Sequence, residues 1–285
     1  MTVILDKPIA AHLPNLSSDY LLSPEQVEIY QKTGHLYLPG VANQTEVAAY
    51  RTAILEIVEQ YRAHTKPLSE RDTYGKAFLQ ITNLWEKDAA VARFVLAHRF
   101  GKIAVELMGV DGVRLYHDQA LFKEPGGGPT PWHQDQGYWP LDTDKTITLW
   151  MPLVDVSGDS GTMTFASGSH ANGYLGDMPI SDKSEIEFDK FVTDRGYPLH
   201  TNGTMCAGDA TFHSGWTLHR APGNSTDAMR EVMTIIYMAD GLSIAEPKNA
   251  SQENDMKGCF PGLGPGDPAA SELNPLVYSR KWEAQ

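Results

Sequence analysis

The chain has 285 residues, 41% of them hydrophobic and 21% charged, which is ordinary material for a soluble globular protein with one large core. With 36 acidic against 23 basic side chains the formal net charge is -13, which opposes tight binding to nucleic acid, and no basic patch offsets it. Two isolated cysteines, Cys206 and Cys259, exclude a disulfide framework and suit a reducing cytoplasm, and no run is apolar for long enough to span a membrane.

In chain order, the opening MTVILDKPIAAHLP is broken too early by Asp6, Lys7 and Pro8 to form a signal-peptide core. A first helix is predicted from Ser23 as N-cap, Pro24 at the first helical position and Gln26 closing a capping box, ending near Gly34. A short strand over 35–38 follows, then a helix over 44–62 with Val47, Tyr50, Ile54 and Val58 at helical spacing, and further helices over 88–96 and 101–108. Beyond Gly109 the pattern changes to short β-like runs at 113–122, 146–153, 161–166, 210–213 and 231–238, separated by turn residues. Many short strands without alternating helices predict a mainly β fold with peripheral α: a double-stranded β-helix, or cupin-like jelly roll, behind N-terminal helices. The expected organisation is a single domain over 1–285, helical from about 20 to 108, jelly roll from about 109 to 240, and a Gly/Pro-rich segment over 241–285. Two stretches, 172–202 and 241–275, read as irregular, and the charged SDKSEIEFDK within the first reads as a solvated helix.

The chemistry concentrates in PTPWHQDQGYW, which holds the only His-x-Asp of the chain. In an extended segment, alternation puts His133 and Asp135 on one face, and an imidazole with a carboxylate suits divalent iron once a second imidazole arrives and positions stay open. His219 can be that ligand: it is expected to end a strand, with Arg230 opening the returning strand of a hairpin. His213 shares the strand parity of His219 but lacks the turn and arginine; it reads as a satisfied strand histidine, with a place beside the site as the other reading. Arg230 precedes Val232, Thr234 and Ile236 at period two, so it faces inward among apolar neighbours, where a lone guanidinium is costly. It needs an anion, either a structural Asp or Glu or the distal carboxylate of a dicarboxylate ligand. Gln119 and Thr148 lie on strands bordering the same cavity and can bond a co-substrate or be plain sheet residues. His117 reads as a core or pocket-wall residue, and Phe122, Tyr138 and Trp139 as core aromatics.

Taken together, SPEQVEIYQKTGHLYLPGV, FKEPGGGPTPWHQDQGYW, TLWMPLVDVSGDSGTMTFASGSH and LHRAPGNST, with Arg230 eleven residues after His219, resemble the phytanoyl-CoA dioxygenase (PhyH-like) family of 2-oxoglutarate-dependent oxygenases through most of the chain. The resemblance implies His133, Asp135 and His219 as ligands of Fe(II), Arg230 as the anchor of 2-oxoglutarate, and Trp150 in the wall of the co-substrate pocket. It further implies O2 as oxidant, ascorbate as a stimulant, and release of succinate and CO2. One departure is Ala221, where many members carry a small hydroxyl residue. Asp135 keeps the chain out of the halogenase branch, which replaces this carboxylate. The expected partner is a small-molecule substrate, with no nucleic acid and no membrane, for a monomer or homodimer. A zinc hydrolase on the same ligands and a catalytically silent metal-binding jelly roll are the alternatives.

Overall fold

The computed structural model describes residues 13–283; all but the last two residues of the broken apolar opening lie outside the described residues. The chain starts with α1 (Pro24–Thr33), where Ser23 accepts from the Gln26 N–H, the Gln26 side chain accepts from the Ser23 N–H, and Gly34 ends the helix at φ 79°. After β1 (His35–Leu38), α2 (Gln44–Arg62) repeats the box with Asn43 and Glu46. There follow α3 (Thr73–Ala77), β2 (Leu79–Thr82), α4 (Ala89–Val95) capped by Asp88, and α5 (His98–Met108). The last begins three residues before the predicted start, because Ala97 at its N-cap offers no side-chain signal. Glu46 caps α2 and also takes Arg99 of α5 at 2.9 Å, so one buried carboxylate joins two helices.

The remaining strands are β3 (Gly112–Phe122), β4 (Thr130–His133), β5 (Thr146–Pro152), β6 (Thr164–Ala166), β7 (Leu199–Thr201), β8 (Ala210–Ser214), β9 (His219–Ala221), β10 (Val232–Ala239) and β11 (Leu276–Ser279). They form two antiparallel sheets: a seven-stranded one ordered β1-β8-β5-β10-β3-β11, with β2 also on β3, and a four-stranded one ordered β4-β9-β6-β7. This is the predicted jelly roll, with helices packed on the outer face of the large sheet. Two segments differ from expectation. Besides the predicted β1, the helical part supplies β2 to the large sheet, and the C-terminal segment carries α7 (Ala250–Cys259) and β11 rather than irregular chain alone.

Strand parity separates the two faces. On the helix side Ile147, Leu149 and Met151 of β5 pack with Met233, Ile235 and Tyr237 of β10; on the other side Thr148, Trp150, Thr234 and Ile236 face the small sheet. Both central strands are buried throughout and so lack the simple alternation of a half-exposed strand. A bulge in β3 lets Ile236 pair with His117 while Tyr237 pairs with Leu115, leaving Tyr116 as the extra residue. The bulge turns both Tyr116 and His117 to the inner face, whereas Asp118 points to the helices and accepts from the Leu84 and Trp85 N–H groups. The SDKSEIEFDK run is indeed helical, in α6 (Asp182–Arg195), but it is not merely solvated: Phe188 and Val192 pack beneath it beside Trp132.

Candidate metal centre and its cavity

β4 and β9 pair with His133 directly opposite His219, so the two imidazoles lie side by side with ring centres 4.1 Å apart. Each Nδ1 is within hydrogen-bond reach of a backbone carbonyl, Pro131 at 2.8 Å and Thr217 at 3.0 Å, which assigns the proton to Nδ1 and leaves both Nε2 lone pairs turned inward. Those Nε2 atoms stand 3.4 and 3.6 Å from Asp135 Oδ1. One ligand atom from each of His133, Asp135 and His219 lies within 4.8 Å of the others, a donor set able to hold a divalent metal on one face. Asp135 reaches its place differently from the sequence expectation: Gln134 is extended, but Asp135 opens a short 3-10 turn through Tyr138. Gln134 pins that turn by donating to Gly173 O and Trp216 O.

The carboxylate is held on its far side as well. Asp135 Oδ2 accepts from Thr148 Oγ1 at 2.9 Å and stands 3.1 Å from His213 Nε2. Burial opposes ionisation of Asp135, but the surrounding imidazoles, His219 first, hold its carboxyl well below the ordinary range. Burial, reinforced by His133, keeps His219 neutral, the state a ligand needs. The preferred reading of His213 as a plain strand histidine is therefore corrected: it touches the carboxylate of the cluster. Thr148 likewise spends its hydroxyl on Asp135.

The cluster opens onto a cavity of about 250 Å³ between the sheets, lined by every candidate metal-ligand and co-substrate residue read from the sequence: Gln119, His133, Asp135, Thr148, Trp150, His219 and Arg230. Cross-strand register arranges its large-sheet wall in rows, Gln119–Thr234–Trp150 and, one step along, His117–Ile236–Thr148–His213. Arg230 closes one end. It is 3% exposed, donates to Gly161 O at 2.7 Å and Leu121 O at 3.1 Å, stands 5.6 Å from the Trp150 ring centre, and leaves its buried Nε without a partner. No carboxylate among the described residues pairs with it, so the structural ion-pair reading fails, and burial pushes the guanidinium down to about 9. Gly161 is required at this corner: its φ is +93°, and a Cβ would sit 2.7 Å from Pro222 O.

One expectation is overturned. His219 and Arg230 do not flank a hairpin; β9 pairs with β4 and β6 in the small sheet, whereas Arg230 leads into β10 of the large one. The arginine still faces inward because its parity with Thr234 and Ile236 holds. Tyr138 and Trp139 line the cavity, whereas Phe122 belongs to the core behind the sheet. Lys123 was missed: it is fully buried, with Nζ 2.5 Å from Gly128 O, and burial, then Arg230, push it down to about 6. Extending the parity of Gln119 and Leu121 by one step would have flagged it.

The sequence model of the phytanoyl-CoA dioxygenase (PhyH) family matches residues 30–232, which takes in every site residue named above from Gln119 to Arg230. A probable alpha-ketoglutarate-dependent hypophosphite dioxygenase of Stutzerimonas stutzeri is 28% identical over 234 residues, 75% of this chain and 78% of that protein. The phytanoyl-CoA dioxygenase domain-containing protein 1 of Danio rerio is 27% identical over 140 residues, 47% of this chain and about half (48%) of that protein. Among solved structures, the epimerase SnoN in complex with Fe3+, alpha ketoglutarate and nogalamycin RO superposes with a TM-score of 0.71 at 26% identity, covering 89% of this chain and 98% of that chain.

Proposed function

Because this chain belongs to the phytanoyl-CoA dioxygenase family, we propose that it is a non-haem Fe(II)- and 2-oxoglutarate-dependent dioxygenase that hydroxylates, or otherwise oxidises, an unactivated C–H bond of a small metabolite with release of succinate and CO2. The observation that carries this reading is the pairing, in one cavity, of the His133–Asp135–His219 donor set with a buried, unpaired Arg230. His133 and His219 offer neutral Nε2 atoms and Asp135 one carboxylate oxygen to iron, leaving positions open on the cavity side. When bound, iron and 2-oxoglutarate supply the oxidising chemistry from O2.

The protein's own residues position and exclude water. Arg230 takes the distal carboxylate, which satisfies the orphaned Nε and restores the charge partner that burial removed. Trp150 and Gln119 line the same cavity and would border that carboxylate when it is bound. Thr148 and His213 orient Asp135 from behind, the supporting role that ligand-orienting neighbours play at metal sites. Ala221 lines the cavity without a hydroxyl, so the co-substrate forgoes a hydrogen bond there. The substrate is a small molecule, in keeping with the size of the cavity. No helix of the described residues is long and apolar enough to cross a membrane, and the two free thiols suit a reducing cytoplasm. A zinc hydrolase on the same ligands would leave Arg230 without a purpose, and a silent metal-binding protein would not turn over 2-oxoglutarate.

The test is an anaerobic titration of apoprotein with iron(II), ascorbate and 2-oxoglutarate, read by the weak visible charge-transfer band of the chelate. The expected result is a band in wild type that is lost in His219→Ala and weakened at least tenfold in apparent 2-oxoglutarate affinity in Arg230→Ala, about what losing a charged hydrogen bond costs. No band, with zinc tightly retained, would reject the reading.

A further inference from the structure

The far end of the cavity carries the opposite charge problem. Arg230 and Ile236 both line the cavity along the β10 direction, and at about 3.3 Å per residue they lie roughly 20 Å apart. Past Ile236 the wall is Tyr138, Trp139 and Ile180, and among them stands one carboxylate, Asp255 of α7. α7 is docked on the metal-side turn, where Gln252 Nε2 donates to Gly137 O at 3.1 Å. The β3 bulge that turns Tyr116 inward places its hydroxyl 2.6 Å from Asp255 Oδ2, which fixes the carboxylate. No cation among the described residues pairs with Asp255; Arg220, the other cation that lines the cavity, is engaged by Glu185 at 2.7 Å and Asp189 at 3.2 Å. Beside it His117, buried to 5% exposure, faces the same space with an unpartnered Nδ1.

We infer that Asp255, fixed by Tyr116, is the substrate-recognition residue, and that the substrate carries a basic amine on an apolar, ring-containing body. Just as Arg230 is a buried cation awaiting an anion, Asp255 is a half-enclosed anion awaiting a cation. An ammonium group supplies it, while the ring body fills the aromatic and aliphatic walls between Asp255 and the metal set. Burial pushes the Asp255 carboxyl up to about 6 in spite of the Tyr116 hydrogen bond, which marks how poorly it is solvated without a partner. An anionic substrate, of the kind named for the Stutzerimonas stutzeri relative, would meet repulsion here. The inference rests on the oxygenase reading for what happens to the bound amine, but not for its recognition.

Three shape-matched probes test it: tryptamine, tryptophol and indoleacetate, titrated calorimetrically into anaerobic protein loaded with Fe(II) and 2-oxoglutarate, and into apoprotein. The expected result is that tryptamine binds wild type about ten- to a hundredfold more tightly than tryptophol, the range of one charge-assisted hydrogen bond, and that indoleacetate binds most weakly. Asp255→Asn should abolish the preference by weakening tryptamine and leaving tryptophol within about twofold, and Tyr116→Phe, which keeps the charge but frees it, should fall between. Persistence of the charge-transfer band in both variants shows that each is folded. Equal affinity for amine and acid, no binding of tryptamine, or a preference that survives Asp255→Asn would overturn the inference. Amine selectivity in a protein without the band would instead strike the oxygenase reading and leave this one standing.

Discussion

Lys123 and Arg230 are buried on paired stretches of backbone with no carboxylate bonded to either among the described residues, and burial, then the charge on Arg230, depresses the lysine to about 6. The unfolded chain holds that proton up to the ordinary lysine value of 10.5, so between about 6 and 10.5 the unfolded state binds a proton that the folded state lacks. Lys123 therefore destabilises the fold at neutral pH, and the penalty fades as pH rises through that window. Lys123→Met, which keeps the stem that packs against Gly161 and removes the amine, should stabilise the protein by about 1–4 kcal/mol at pH 7, with the gain shrinking toward pH 10. Urea unfolding of both proteins across that range measures it; a gain independent of pH would mean that the lysine is charged in the native state.

At the scale of elements, α6 acts as a clamp on the strands that carry the two histidines. Glu185 accepts the Trp132 backbone N–H at 2.8 Å and takes Arg220 at 2.7 Å, so it grips the residue just before His133 and the one just after His219. Asp189 adds the Trp132 indole N–H, and the Arg220 guanidinium stacks on that ring at 4.7 Å. Glu185→Ala should therefore loosen β4 against β9 and weaken iron(II) binding by about 10- to 100-fold, the range seen when groups supporting metal ligands are removed. Lys190→Ala, which removes the exposed Lys190–Asp194 pair on the same helix, should leave iron affinity unchanged in a parallel anaerobic titration; equal effects would reduce α6 to a solvated helix. That this run is helical could be read from its charge pattern, but not what it holds, since its partners are 31 to 57 residues away. The false hairpin has the same origin. Period two on β10 placed Arg230 inward correctly, yet a three-residue strand such as β9 carries no local mark of the sheet it joins. The capping box at Ser23 was legible because all its parts lie within four residues, and the box at Asn43, equally local, went unread beside the helical spacing that already marked α2. Asp255 was not, because its meaning depends on a bulge in β3 and on how α7 docks.

Over the whole molecule the site is divided between the sheets. His133 and His219 belong to the small sheet, with Asp135 in the turn beyond β4; Arg230, Trp150 and Thr148 belong to the large one, which is backed by the helices and the main core. On the proposed function, a metal alone would tie β4, β9 and the Asp135 turn together, whereas a dicarboxylate reaching from that metal to Arg230 would tie one sheet to the other. Ligand binding should thus appear as stability in two increments. With 2-oxoglutarate at a hundred times its dissociation constant the second increment is about 2.7 kcal/mol, which for a chain of this size is on the order of 4–5 °C in the melting temperature. Thermal melts with EDTA, with iron(II), and with iron(II) plus 2-oxoglutarate under nitrogen should show both steps in wild type. Arg230→Ala should keep the first step and lose most of the second, and His219→Ala should lose both. If Arg230→Ala kept the full second step, the dicarboxylate would not span the sheets, and the buried guanidinium would need another anion.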